Sequence, residues 1–342
     1  MSKMVAYRST WDELLSGFRD FNSDVYFKES YHQLQASDHA VSQCFIYQEG
    51  DHTFILPFIL REIPEQAGYF DIESAYGYGG PLATTEDKGF LERANALFIE
   101  HSREKNVIAA FIRCHPLIEN HRFLQEATLT KERETVIMNL AEDYSACIDK
   151  SYQYEIRRAE KAGVTIHFDD SLFRLEEFVS MYEITMHRLN ASPFYFFSSN
   201  YFKTLRDKCA GNAFLAFAEY EGESIAAGLF LLSEKYGHYH LGARLVDDRY
   251  DNLSASKLVI EKSAAKLSAQ GVSYLHLGAG TTGRSDDSLF RFKLGFSGKT
   301  RPFYTARLVI NSDRYSTLCE EWSRKSPEKV PQFGNYFLKY RF

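Results

Sequence analysis

The sequence predicts an α/β protein of mixed, α+β character. It should form two tandem domains, each a mixed, mostly antiparallel sheet flanked by helices. Three observations carry this. A strand pair of one layout occurs in each half of the chain. Each pair is followed by the same succession of strand, loop, helix and strand. The 342 residues, 44% hydrophobic and 15% aromatic, suffice for two cores.

The first pair is "FIYQEGDHTFILPFIL", Phe45 to Leu60, and the second is "FAEYEGESIAAGLFLL", Phe217 to Leu232. Both read as an apolar strand, a turn at Glu-Gly and a second apolar strand. Phe58 and Leu60 match Phe230 and Leu232 in register. The first half continues with "YFDIES", the glycine loop "SAYGYGGP", an amphipathic "FLERANALFIEHSREKN" and a buried strand "VIAAFIR". The second continues with "YGHYHLGARLV", the loop "DDRYDNLSAS", the helix "KLVIEKSAAKLSAQG" and "VSYLHLGAG". Leu258, Ile260, Ala264, Ala265 and Leu267 give that helix an apolar stripe, and Gly271 closes it. A strand–helix–strand unit joins parallel strands, so each sheet is mixed. The shared order of elements argues for duplication more strongly than the few identities.

Between the halves, "DKSYQYEIRRAEKAGVTI" reads as a helix ended by Gly163 and followed by a strand. The boundary is placed near residue 148. Residues 1–148 form the first domain and 149–342 the second, with the last residues free to pack back on the first.

A net charge of -6 argues against a broad electrostatic grip on DNA or an anionic membrane. No apolar stretch approaches the roughly 20 residues of a membrane-spanning helix. The start, "MSKMVAYRSTWDELL", lacks the apolar centre of a signal peptide, so a cytoplasmic protein is expected. Cys44, Cys114, Cys147, Cys209 and Cys319 are scattered, with no paired spacing for a structural metal or disulfide framework. Cys114 and His115 are adjacent on a strand and point to opposite faces, a poor arrangement for nucleophile and base.

Several stretches resemble a known family. "IRRAEKAGV", "MYEITMHRL", "YFFSSNYFKTL" and "SLFRFKLGFSG", with "YGYGGPL" and "AAFIRCHPLIEN" in the first half, are similar to tandem acetyltransferase-fold (GNAT) proteins. That group includes Fem-type peptidoglycan bridge transferases and related nucleotide-sugar N-acyltransferases. The resemblance implies transfer of an acyl group to a primary amine without a metal. It also implies that acyl-CoA, where used, places its pyrophosphate at a helix N-terminus, whose free N–H groups favour anions.

The family's pyrophosphate signature, Arg/Gln-x-x-Gly-x-Gly/Ala, falls on Arg249 to Ala255. Here Asn252 stands in place of glycine, the residue next most tolerant of positive φ. Arg249, Asn252, Leu253, Ser254, Ala255 and Ser256 are therefore the cofactor candidates, with Ser254 and Ser256 expected to cap the helix. The same stretch also reads as an ordinary capped helix start.

Amide formation needs a neutral amine, a polarised carbonyl and a route for a proton. His238 and His240, two apart on one strand, are the candidate bases, or ordinary half-exposed strand histidines. Lys293, in "FRFKLGF", matches by resemblance the Phe-Lys pair that lies near the reacting carbonyl in Fem-type enzymes. For the acceptor, Arg113 and His115 end a buried strand where ligands collect in open α/β sheets. Arg157 and Arg158 could hold a diphosphate, though two surface arginines are also simply a solvated face. Tyr182 and Tyr195 are candidates for stacking, within a cluster that equally reads as core. Tyr76 and Tyr78, in the glycine loop, would line the acceptor side.

The reading that follows is transfer from acyl-CoA to the primary amine of a nucleotide-linked amino sugar (dTDP or UDP), for surface polysaccharide synthesis. Two alternatives stand beside it. One is an aminoacyl-tRNA-dependent bridge transferase, the only case in which tRNA is a partner. The other is a non-catalytic tandem-fold binding protein, supported by Asn252 in the signature. A homodimer is left open.

Overall fold

The computed structural model describes residues 3–21, 24–247 and 249–342. The chain opens with strand β1 (Lys3–Arg8) and two single-turn helices, α1 (Asp12–Leu15) and α2 (Glu29–His32). A three-stranded meander follows, of β2 (Ala40–Glu49), β3 (His52–Ile63) and β4 (Gln66–Glu73). After the glycine loop come β5 (Leu82–Ala83), α3 (Lys88–Glu104) and β6 (Val107–Arg113). Next are β7 (Thr128–Asn139), α4 (Lys150–Lys161), β8 (Thr165–Asp169), α5 (Leu175–Arg188) and α6 (Ser199–Lys208). The second hairpin, β9 (Ala213–Tyr220) and β10 (Glu223–Leu232), leads to β11 (Tyr236–Arg244), α7 (Ala255–Ala269) and β12 (Tyr274–Gly278). The chain finishes with α8 (Ser288–Leu294), β13 (Lys299–Val309), α9 (Ser312–Lys325) and α10 (Val330–Phe333).

The chain divides into two compact units, Met1–Glu132 with Phe303–Phe342, and Arg133–Pro302. Each holds a mixed sheet with helices packed on it, as the duplicated pattern predicts. In the first unit the strand order is β1-β2-β3-β4-β6, followed by the 305–309 part of β13 antiparallel to β6. In the second it is β8-β9-β10-β11-β12, followed by the 136–139 part of β7 antiparallel to β12. Among the described residues, the parallel strand pairs are β4 with β6 and β11 with β12, each spanned by its crossover helix.

A boundary at residue 148 does not match this division. Val136 to Asn139 hydrogen-bond along β12, so the chain enters the second unit at Arg133. It returns to the first at Phe303, where β13 meets β6.

Each core forms where strand alternation meets a helical stripe. In the first unit Phe45, Phe54, Phe58 and Ile72 pack with Phe90, Ala94 and Phe98 of α3. In the second, Phe214, Ala216, Phe230 and Leu275 pack with Leu258, Ile260, Ala264 and Leu267 of α7. Ile156 and Ala159 bring α4 onto the same core. At about 25 cal/mol per Å² of apolar surface, burial of such stripes is the main term that makes these helices stable.

Candidate active site

The parallel ladder between β11 and β12 runs from Tyr236 and Tyr274 to His238 and His276, then stops, although β11 continues to Arg244. On its other side β11 pairs Tyr239 with Phe230 and Leu241 with Leu229, so His240 has no opposite residue. A bulge of this kind bends a strand and re-aims a side chain. The sheet therefore parts between β11 and β12, beside the start of α7.

His238 is buried and its ring meets that of His276 edge-on, with centroids 5.6 Å apart. His240 Nε2 lies 2.7 Å from the Tyr201 hydroxyl. Loss of hydration, reinforced by repulsion from His238, presses the His240 pKa down to about 3. It is thus neutral near pH 7 and a weak base.

Lys293 is positioned by a compact set of local contacts. Asp287 caps α8, accepting from the Phe290 N–H, the Thr281 and Thr282 hydroxyls and the Thr282 N–H at 2.6–3.0 Å. Gly280 permits this approach, since a Cβ there would lie 2.3 Å from Asp287 Oδ1. The Lys293 ammonium is buried and donates to the Ala279 carbonyl at 2.7 Å. Burial presses its pKa to about 8, opposed by the Asp287 carboxylate. Phe292, one residue earlier, faces a cleft of about 220 Å³ at the start of α7.

That cleft is also lined by Glu155, Arg244, Asp251, Ser254, Ala255, Ser256 and Lys257. Asn252 does not take the positive φ expected of a glycine substitute, because Asp251–Leu253 form a 3-10 turn. The left-handed residue is Ser254, at φ +47°. Nor does Ser254 cap the helix: its hydroxyl donates to Glu155 Oε2 at 2.6 Å, and α7 has no side-chain cap. Lys257 donates to the same oxygen at 2.6 Å, and its ammonium lies 3.7 Å from the Tyr152 ring centroid. Arg244 pairs with Asp251 at 2.8 Å, and Arg158 donates to the Asn252 carbonyl at 2.7 Å. Leu253 packs on the core and Ala255 belongs to it.

Arg249 is turned away from this seat. It makes a two-point pair with Asp247, stacks on Tyr250 and lines a neighbouring cleft of about 440 Å³ with Glu177, Met181 and Glu223. Tyr182 is buried, and its hydroxyl donates to the Tyr195 carbonyl at 2.8 Å within an aromatic cluster that includes Phe197 and Phe202. Tyr182 thus serves that cluster, whereas Tyr195 offers it a carbonyl and sets its own ring edge-on against Phe194. Arg157 is exposed on α4.

In the first unit the candidates have partners within the fold. Arg113 pairs with Glu73 at 2.6 Å and donates to the Ser74 carbonyl at 3.3 Å. His115 is fully buried: its Nδ1 accepts from the Leu117 and Ile118 N–H groups, and its Nε2 lies 2.8 Å from Asp24 Oδ2. Two backbone donors on Nδ1 leave the proton on Nε2. Tyr76 accepts at its carbonyl from the Tyr31 hydroxyl, and the Tyr78 ring packs edge-on against Tyr26, His115 and Phe303. Burial pushes the neighbouring Cys114 thiol up to about 12, so it is no nucleophile.

Sequence reasoning passed over Glu155, Lys257, Arg244 and Asp287. A signal for Glu155 was present: Tyr152, Glu155 and Arg158 follow at helical i, i+3 spacing and share a face. Asp287, just ahead of an apolar helix, carries the mark of a cap.

Residues 149–293 match the acetyltransferase (GNAT) domain family. No curated protein matches the chain by sequence. A solved structure of FemX superposes with a TM-score of 0.68 at 13% identity, covering 93% of this chain and 99% of that one. L-PGS from Bacillus licheniformis gives 0.55 at 13% identity, covering 87% and 91%. A tandem GNAT protein from the clavulanic acid biosynthesis pathway gives 0.51 at 9%, covering 90% and 99%. At these identities the likeness is one of fold. Among the described residues no helix is long and apolar enough to cross a membrane.

Proposed function

We propose that this protein is an N-acyltransferase that moves an acyl group from acyl-CoA to a primary amine, using the second unit for the donor. The single observation that supports this most is the start of α7. It is a helix N-terminus without a side-chain cap, facing a cleft that also holds Ser254, Ser256, Lys257 and Arg244. Free N–H groups, hydroxyls and two cations suit a diphosphate. The residues therefore fit the group, with two obstacles, Glu155 on Ser254 and Lys257 and Asp251 on Arg244.

When bound, acyl-CoA would supply the thioester whose carbonyl is attacked. In this reading Lys293 holds a positive charge where negative charge develops on that carbonyl. Tyr201 and the neutral His240 form a hydrogen-bonded pair that can orient the amine. In this reading the amine arrives unprotonated. For the acceptor, a nucleotide-linked amino sugar is the class to test first, with Arg157 and Arg158 on α4 as the remaining cations for its diphosphate.

A second reading, aminoacyl transfer of the Fem type, draws support from the overlap with nearly the full length of FemX. Two carboxylates, Glu155 and Asp251, in the donor cleft also favour it. Initial rates with acetyl-CoA and an amino-sugar nucleotide, set beside rates with aminoacyl-tRNA, separate the two. Turnover only with aminoacyl-tRNA would remove the acyl-CoA reading.

A further inference from the structure

The donor cleft contains an anion of the protein's own. Glu155 reaches across from α4 and takes the Ser254 hydroxyl and the Lys257 ammonium through one oxygen, both at 2.6 Å. These are the groups that a donor diphosphate would need at the start of α7. The other charged or polar neighbours of the carboxylate on α4 are Arg158 and Tyr152. We propose that Glu155 is a built-in competitor for the donor's phosphates, and that a donor binds by displacing its carboxylate from Ser254 and Lys257. This rests on the reading of the cleft as a phosphate seat.

Three features make the exchange feasible without moving the backbone. Lys257 has a second support in the Tyr152 ring, so it stays in place when the carboxylate leaves. Arg158 holds the loop through the Asn252 carbonyl, independently of Glu155. The Glu155 side chain is 29% exposed and can swing into water by rotamer change alone. Displacement also selects among ligands. A diphosphate, with more charge and more acceptor oxygens than a carboxylate, can win the seat, whereas a singly charged anion competes on equal terms.

The test is isothermal titration of CoA, and separately of inorganic pyrophosphate, into the native protein, Glu155→Gln and Lys257→Met. Glu155→Asp, one methylene shorter, serves as a second withdrawal of the carboxylate. The Gln and Asp variants are expected to bind both probes about tenfold more tightly than the native protein, because like-charge repulsion is removed or moved back. Lys257→Met is expected to lose binding of both. Equal affinity of native and Glu155 variants for CoA overturns the competitor and leaves the donor reading intact. Pyrophosphate binding that tightens in the variants while CoA binds to none supports the competitor and overturns the CoA reading. Failure of both probes on every protein overturns both.

Discussion

The crossover loops of the two units hold the same place in the strand–loop–helix order and are built in opposite ways. In the first unit, "SAYGYGGP" turns its polar groups inward. The Gly79 N–H donates to the Arg113 carbonyl, and the Asn120 amide donates to the Gly79 and Pro81 carbonyls. Gly77, at φ +87°, lies so close to Tyr26 that a Cβ would come within 2.6 Å of its ring. The helix that follows is capped in the ordinary way, with Asp87 accepting from the Phe90 N–H at 2.7 Å. In the second unit the helix start is uncapped and its flanking serine is committed to another helix. One crossover has satisfied its own backbone groups. The other has left donors and cations around a cleft, which is what binding requires.

Gly77→Ala attacks the closed loop where space and backbone both forbid a side chain. A loss of about 2 kcal/mol is expected, read as a lower melting temperature, because overpacking and positive φ act together. An unchanged melting temperature would show that the loop is looser than its contacts imply.

Lys293→Met attacks the open side at its buried charge. Transfer should fall about tenfold or more, equivalent to about 1.4 kcal/mol of barrier, in kcat/KM. If the ammonium stabilises the developing negative charge, the native rate should also fall as pH rises through about 8, where that charge is lost. Stability should move the other way. The unfolded chain holds the lysine proton up to its ordinary value of 10.5, so the native protein gains stability relative to the variant between about 8 and 10.5. Urea titrations of both proteins on either side of that window check the sign.

The two helix starts can be compared directly. Asp87→Ala removes a cap and should cost about 1 kcal/mol, whereas Ser254→Ala removes none and should cost only a few tenths through capping. Denaturant midpoints that ranked the two in reverse would undo the contrast. Tyr201→Phe loses one hydrogen bond to His240 and should lower the denaturant midpoint by the equivalent of about 0.5–1.5 kcal/mol.

The sequence by itself determined the duplicated order of elements, the parallel pair in each half and the helical stripes, because periods of 2 and 3.6 residues are written in local spacing. It also brought Lys293, Ser254 and Ser256 to attention through local motifs. The tertiary structure alone decided what each candidate touches. Arg113 and Arg249 read as candidates for a phosphate, yet each is matched with a carboxylate, Glu73 and Asp247. Ser254 read as a cap, yet its hydroxyl serves Glu155, 99 residues away in the chain. Val136 to Asn139 read as part of the first domain, yet they complete the sheet of the second. Spacing along a chain tells which face a residue occupies. It does not tell which charge, hydroxyl or strand the fold sets opposite that face, because those partners come from distant sequence and are chosen by packing.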